Sequence, residues 1–443
     1  MSKFLKWVMI PLLGGIALAI IGHVTHFYHM EQTLLRQIAL LRQNGVIVAY
    51  DQLVPSVPDD TNAAIPLRKL VLTIRNSPTF IPQLQPSLIK YPFTNNTLPI
   101  AITRKDPTPT PSQLDAIKIW IKDNQHVFNE MKSILDKTNY REYSSSPPIL
   151  LGGRGTPIIL WDLHKLYAAS IYISIQNQNY AKSIQLVTDF LKLISLSQQS
   201  CASNNEYEMI RYYTKFFTDY LDIIISKFEP SELQLRELIN ILSTVDLFKS
   251  AKNGLVGTLL FESKIVEDLC DQPLLATSFS YDFVIGFGKG LPRYYDEGVF
   301  ADADQYVILA DTPYYLSKDT MEKLTTRINE SSILNHTKAF IDLYNRNQSE
   351  IARLDMICLK LSIILHLIRH NFLPASLKDV DHAILRTMPV DPYTGNPYTY
   401  ATHGSDSFSI TSSSYEHAVP AQDRIAKDYK RPLPLSTPKT PEQ

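Results

Sequence analysis

The sequence predicts a mainly α-helical protein: a single N-terminal transmembrane helix, a multi-helix body of αα-hairpins, and a small C-terminal β-hairpin. Three observations predict it. Residues 7–22 carry no charged side chain. Long stretches between residues 113 and 370 place apolar residues at three- and four-residue steps, the mark of a helix with one buried face. Tyr398, Tyr400, Phe408 and Ile410 alternate with polar residues, as strands with one buried face do.

Extended to residue 28, the leading run reaches the roughly 20 residues needed to cross a bilayer. Trp7, Leu12, Leu13, Ile16, Leu18, Ile20, Ile21 and Tyr28 form the expected anchor, with Trp7 and Tyr28 at the two interfaces where aromatic rings are favoured. Lys3 and Lys6 precede it and no Lys or Arg follows until Arg36, which orients the N-terminus to the cytoplasm. A cleaved signal peptide would need a small-residue cleavage site. Residues 21–29 offer none, so the expected address is the inner (cytoplasmic) membrane, single-pass, with a periplasmic body and the lipid bilayer as partner of the first helix.

The chain then divides into a cytoplasmic stub and anchor (1–30), a stalk helix with a Pro-rich extended segment and first helices (31–157), a helical body (158–371), a turn and hairpin module (372–417) and a disordered tail (418–443). Leu34, Leu35, Ile38 and Leu41 continue the helical period into the stalk, which Asn44-Gly45 ends. Asp60-Thr61-Asn62 supplies an N-cap for a helix at 63–75. Eight prolines between residues 76 and 111 exclude a persistent helix there. Ser112 caps a helix predicted over 113–138.

Residues 158–196 read as an antiparallel helix pair around Gln176–Asn179, and residues 206–227 with 231–248 as a second pair, where Ser231 and Gln234 fit a capping box. Residues 282–315 mix glycines, aromatics and acids and read as a solvated loop. Residues 317–344 and 350–370 complete the body as two long helices. At 443 residues, two or more packed sub-regions are expected.

A net charge of −1 carries no polyelectrolyte signal, so nucleic acid is not expected as a partner. The three cysteines, Cys201, Cys270 and Cys358, are odd in number and far apart, and read as one disulfide with a spare thiol or as three buried apolar residues. Gly152-Gly153-Arg154-Gly155 lacks the Lys-Ser/Thr of a phosphate loop, and Asp302 and Asp304 lack the Gly and closing Glu of a calcium loop. His366 and His370 stand one helical turn apart, the spacing of a two-His metal site, but Leu367 occupies the place of the zincin Glu. A cationic His370 favoured by the helix C-terminus accounts for the pair without metal. No cofactor is expected.

From residue 351 onward the order is long helix, Asn371 as its end, Pro374, a short helix at 376–380, and a turn opened by Asp391-Pro392, completed by Gly395 and followed by Pro397, Tyr398 and Tyr400. Gly404-Ser405 then turns into Phe408 and Ile410. Residues 351–412 resemble the globular module of type II secretion major pseudopilins and the tail of membrane-anchored helical bacterial proteins. The resemblance implies a structural cap on the last helix. The N-terminus lacks a prepilin-peptidase signature, and residues 411–417 replace the pseudopilin calcium loop, so neither polymerisation nor calcium binding is carried over.

The functional expectation is a membrane-anchored envelope interaction or scaffold protein with an envelope protein partner, rather than an enzyme. One alternative is an envelope hydrolase acting on lipid, peptidoglycan or peptide, drawing on the 282–311 segment and on His164, His366 or His370. The other is an accessory component of a secretion or pilus-like assembly.

Overall fold

In the computed structural model the described residues are 38–45, 50–77, 111–141, 156–271, 303–330, 335–380, 388–412 and 426–430, with scattered positions of the leading helix between 14 and 36 and the isolated residues Leu385 and Pro432. Among them, no helix is long and apolar enough to cross a membrane. Trp7, Leu12, Leu13, Ile16 and Ile20 of the expected anchor lie outside the described residues, as do the Pro-rich segment 78–110, the Gly152–Gly155 stretch and residues 272–302.

The body is mainly helical. Its helices are α1 (Ala64–Asn76), α2 (Pro111–Asp123), α3 (Gln125–Leu135), α4 (Thr156–Gln176), α5 (Tyr180–Ser197), α6 (Asn204–Lys227), α7 (Glu232–Leu242), α8 (Leu247–Asp271), α9 (Ala303–Ala310), α10 (Tyr314–Glu330) and α11 (Asn335–His370). Three strands follow, β1 (Thr399–Thr402), β2 (Ser407–Thr411) and β3 (Ala426–Lys430), paired antiparallel in that order.

Capping residues set several boundaries. Asn62 Oδ1 accepts from the Ala64 and Arg141 amides while its Nδ2 donates to the Arg141 carbonyl, which opens α1 and ties it to the end of the α3 segment. Asn179 caps α5 by accepting from the Lys182 amide. The capping box at Ser231 and Gln234 starts α7 as the sequence predicts. The helix expected at 113–138 is instead two, because Asn124 turns its side chain onto the Trp120 carbonyl at 2.9 Å and breaks the run.

The first helix pair, α4 and α5, packs as predicted, but the second does not. Phe228 leaves α6 in extended backbone, and α7 lies against α11 and α5 rather than back along α6. Nor does a break follow Phe248, because α8 runs through it to Asp271. Glycine makes that possible: a Cβ on Gly257 would stand 1.9 Å from the Ala202 carbonyl oxygen, so α8 can press against the α5–α6 connection only with no side chain there. The expected loop at 282–315 ends in a helix, α9, whose Tyr306 and Leu309 bury against Met321, Leu324, Phe340 and Tyr344.

The break expected between residues 344 and 350 is also absent, and α11 is one 36-residue helix. Asn347, a poor helix former, and Gln348 are held by tertiary bonds. Tyr207 Oη donates to Asn347 Oδ1 at 2.7 Å, and Gln348 bridges the Thr312 carbonyl and the Tyr314 amide. This helix is the centre of the fold, touching α6, α7, α8, α9, α10, β2 and β3. From Met356 to Leu365 every side chain is buried. One apolar cluster runs from Ala64 on α1 through α11 to Ile410 and Tyr429 in the sheet.

At the C-terminus the short helix narrows to a 3-10 turn, Leu377–Asp379, with its own Ser376–Asp379 capping box. The hairpin gains a third strand. Residues 426–430, assigned by composition to a disordered tail, pair with β2, and Tyr429 is buried beside Phe408 with ring centroids 5.3 Å apart. The apolar ring supplies the burial that the proline-rich composition around it obscures.

Candidate functional site

The polar chemistry of the body is gathered along α11, on two of its faces. Toward α6 runs a charged seam. Glu208, Arg211, Lys215, Asp219 and Asp222 recur at three- and four-residue steps on α6, so one face of that helix carries them all. Opposite stand Arg346, Glu350, Arg353 and Lys360 on α11. Arg211 bonds Glu208 at 2.6 Å and reaches Glu350 at 3.7 Å, and Arg353 bonds Asp219 at 2.8 Å and Glu350 at 3.4 Å. Lys215 closes on Asp219 at 3.0 Å, and Lys360 on Asp222 at 2.9 Å. Glu350 is buried, and burial raises its pKa while Arg353, Lys215 and Arg211 pull it back. Buried charges persist only when matched, so the seam fixes the register of α6 against α11.

On the side facing the sheet, Asp355 receives a hydrogen bond from Tyr398 Oη at 3.1 Å. Tyr398 is the residue before β1 and belongs to the Asp391–Tyr400 turn that the sequence singles out. Fully buried Asp391 organises this turn. Its carboxylate accepts from the Tyr393 amide at 2.9 Å and from Ser412 Oγ at 2.6 Å, its amide donates to the Asn396 carbonyl, and its carbonyl accepts from the Gly395 amide. Gly395 has φ +70°, the left-handed conformation that closes the loop, and its open face receives the Tyr315 ring. The Tyr315 amide donates to the Pro392 carbonyl at 3.1 Å, Tyr400 Oη donates to the Pro374 carbonyl at 3.0 Å, and Val390 bridges Pro397. The residues expected to make a structural turn therefore dock the module on α10 and α11.

The histidines named from the sequence fall in two places. His164 on α4 is fully buried among aromatic rings, with Phe216 and Tyr213 at 4.6 and 4.7 Å. Burial, and then the nearby Lys165 charge, push its pKa well below the usual imidazole range, so it stays neutral. Such a His packs as an aromatic. His366 and His370 lie together at the end of α11, rings 4.4 Å apart and against Phe372. Among the described residues no group of three or more His, Cys, Asp or Glu side chains is placed to hold a metal, so the pair gains no third ligand there.

Asp311, at the end of the acidic segment, is paired with Lys252 at 2.7 Å. Cys201 and Cys358 are buried free thiols, not bonded to each other, and burial raises both pKa values.

Asp355, Glu350, Arg353 and Lys360 were not singled out from the sequence. Their signal was present as charges at positions 350, 353, 355 and 360 inside an otherwise apolar helix, with the α6 charges at matching steps. No family model matches the chain, and no curated protein or solved structure matches it.

Proposed function

We propose that the chain is a single-pass envelope scaffold: an N-terminal helix in the inner membrane, N-terminus in the cytoplasm, holding a helical body in the periplasm for binding to an envelope protein. One observation carries the reading. On the leading helix, Leu18, Ile21 and Tyr28 stand 72%, 60% and 58% exposed, apolar side chains that the described residues leave uncovered. Placed beside the charge-free run of residues 7–22, they suit hydrocarbon rather than water. The polar groups of the body support the scaffold part, since those on α11 cross-link helices or hold the C-terminal module.

A reporter fused after Gln443 tests the topology. The reading expects periplasmic alkaline phosphatase activity and a membrane fraction resistant to carbonate extraction; a cytosolic reporter sinks it. The scaffold part fails if the purified body turns over an envelope substrate and a point mutation in the body abolishes that turnover.

A further inference from the structure

The contact between the turn module and α11 places two carboxyl groups around one phenol. Asp355 comes from α11 and Asp391 from the turn, with Tyr398 Oη bonded to the first. Asp391 accepts hydrogen bonds from within its own module, from the Tyr393 amide and Ser412 Oγ. Among the described residues, the side-chain hydrogen bond to Asp355 comes from the module. The described titratable groups bearing on it are Tyr398 and Asp391 from the module and, one turn along α11, Cys358, and none of these is a cation. The basic residues of the same helix are committed elsewhere, Arg353 to Asp219 and Glu350, Lys360 to Asp222 and the face of Tyr429.

We propose that the C-terminal module is a pH-released latch, docked on α11 while Asp355 is protonated and loosened when Asp355 ionises beneath Tyr398 and opposite Asp391. Burial is the main opposing force, the Asp391 charge adds to it, and the Tyr398 hydrogen bond offsets part of it. The balance pushes Asp355 up to about 7. An undocked aspartate titrates near 3.9. The docked form therefore binds the extra proton, so docking is strongest below about pH 4 and weakens as pH rises through about 7. Undocking would bare the face of α11 that β2 and β3 cover. The inference does not depend on which side of a membrane the body occupies.

Hydrogen exchange of the full chain tests it, read at residues 398–402 and 407–411 and corrected for intrinsic rates. Between pH 5 and pH 8, protection there should fall on the order of 10- to 100-fold, the span the two titrations allow, with α4 to α6 unchanged. Asp355→Asn should remove the pH dependence. Asp391→Asn, which keeps the turn's acceptor oxygen, should shrink it. Equal protection of the wild-type module at both pH values overturns the latch, as does a pH slope kept in Asp355→Asn. Loss of protection spread evenly over the helices also overturns it, since that is global unfolding. If Asp355→Asn does not fold by far-UV circular dichroism, the Asp391→Asn slope decides.

Discussion

Gly395 illustrates how one residue can carry two separate constraints. Its φ of +70° disfavours any side chain, and a Cβ there would also stand 2.8 Å from Cδ2 of Tyr315. Gly404, in the β1–β2 turn, has φ +96° but open space around it. The two positions therefore separate strain from contact. Gly404→Ala should cost about 1 kcal/mol, the strain alone, whereas Gly395→Ala should cost roughly 2–4 kcal/mol because Tyr315 must also move. Urea denaturation of both variants measures this, and equal losses would show that the Tyr315 contact contributes nothing. The turn was legible in the sequence because Asp-Pro and a following Gly are local signals with local causes. Its docking partner Tyr315 was not, since a ring lying on a glycine 80 residues away leaves no trace in spacing.

At the scale of elements, errors in the sequence reading have two causes: tertiary contacts that overrule local preference, and a local side-chain bond that overrules the apolar period. Residues 345–349 read as a break because two Asn and a Ser favour one, yet bonds from Tyr207 and to Thr312 carry the helix through. Asn124 acts the other way, breaking a run whose apolar stripe continues past it. The seam between α6 and α11 belongs to this scale, since Arg353 meets Asp219 and Lys360 meets Asp222 across the two helices. Arg353→Met should leave Asp219 and Glu350 under-neutralised and cost about 3–5 kcal/mol. The double variant Arg353→Met with Glu350→Gln, in which Asp219 keeps Lys215 and Arg211 keeps Glu208, should recover most of that loss. A double-mutant cycle by denaturant titration checks it, and a double variant as unstable as the single one would show that Arg353 acts by packing alone.

At the scale of the whole molecule, the question is whether the last strand belongs to the fold or rides on it. Composition assigned residues 418–443 to a disordered tail, because prolines and charges dominate and a strand of five residues is too short to stand out. The packing argues otherwise. Tyr429 is buried beside Phe408, its ring faces Lys360 Nζ at 5.7 Å, and β3 touches α11, the helix on which most other elements rest. A stop after Ser412 would remove the strand while keeping Asp391's partner. The loss should approach that of truncating a buried aromatic, about 3–5 kcal/mol, and it should register on the whole helical body, because α11 is common to both. The measurement is helical circular dichroism through a urea titration at pH 5, where the module is docked. One transition at a lower midpoint is the expected outcome. An unchanged midpoint would mean that β3 is an ornament on the sheet and that composition described the tail correctly. A second, early transition confined to the module would mean that sheet and helices unfold separately, leaving α11 stable without its cover.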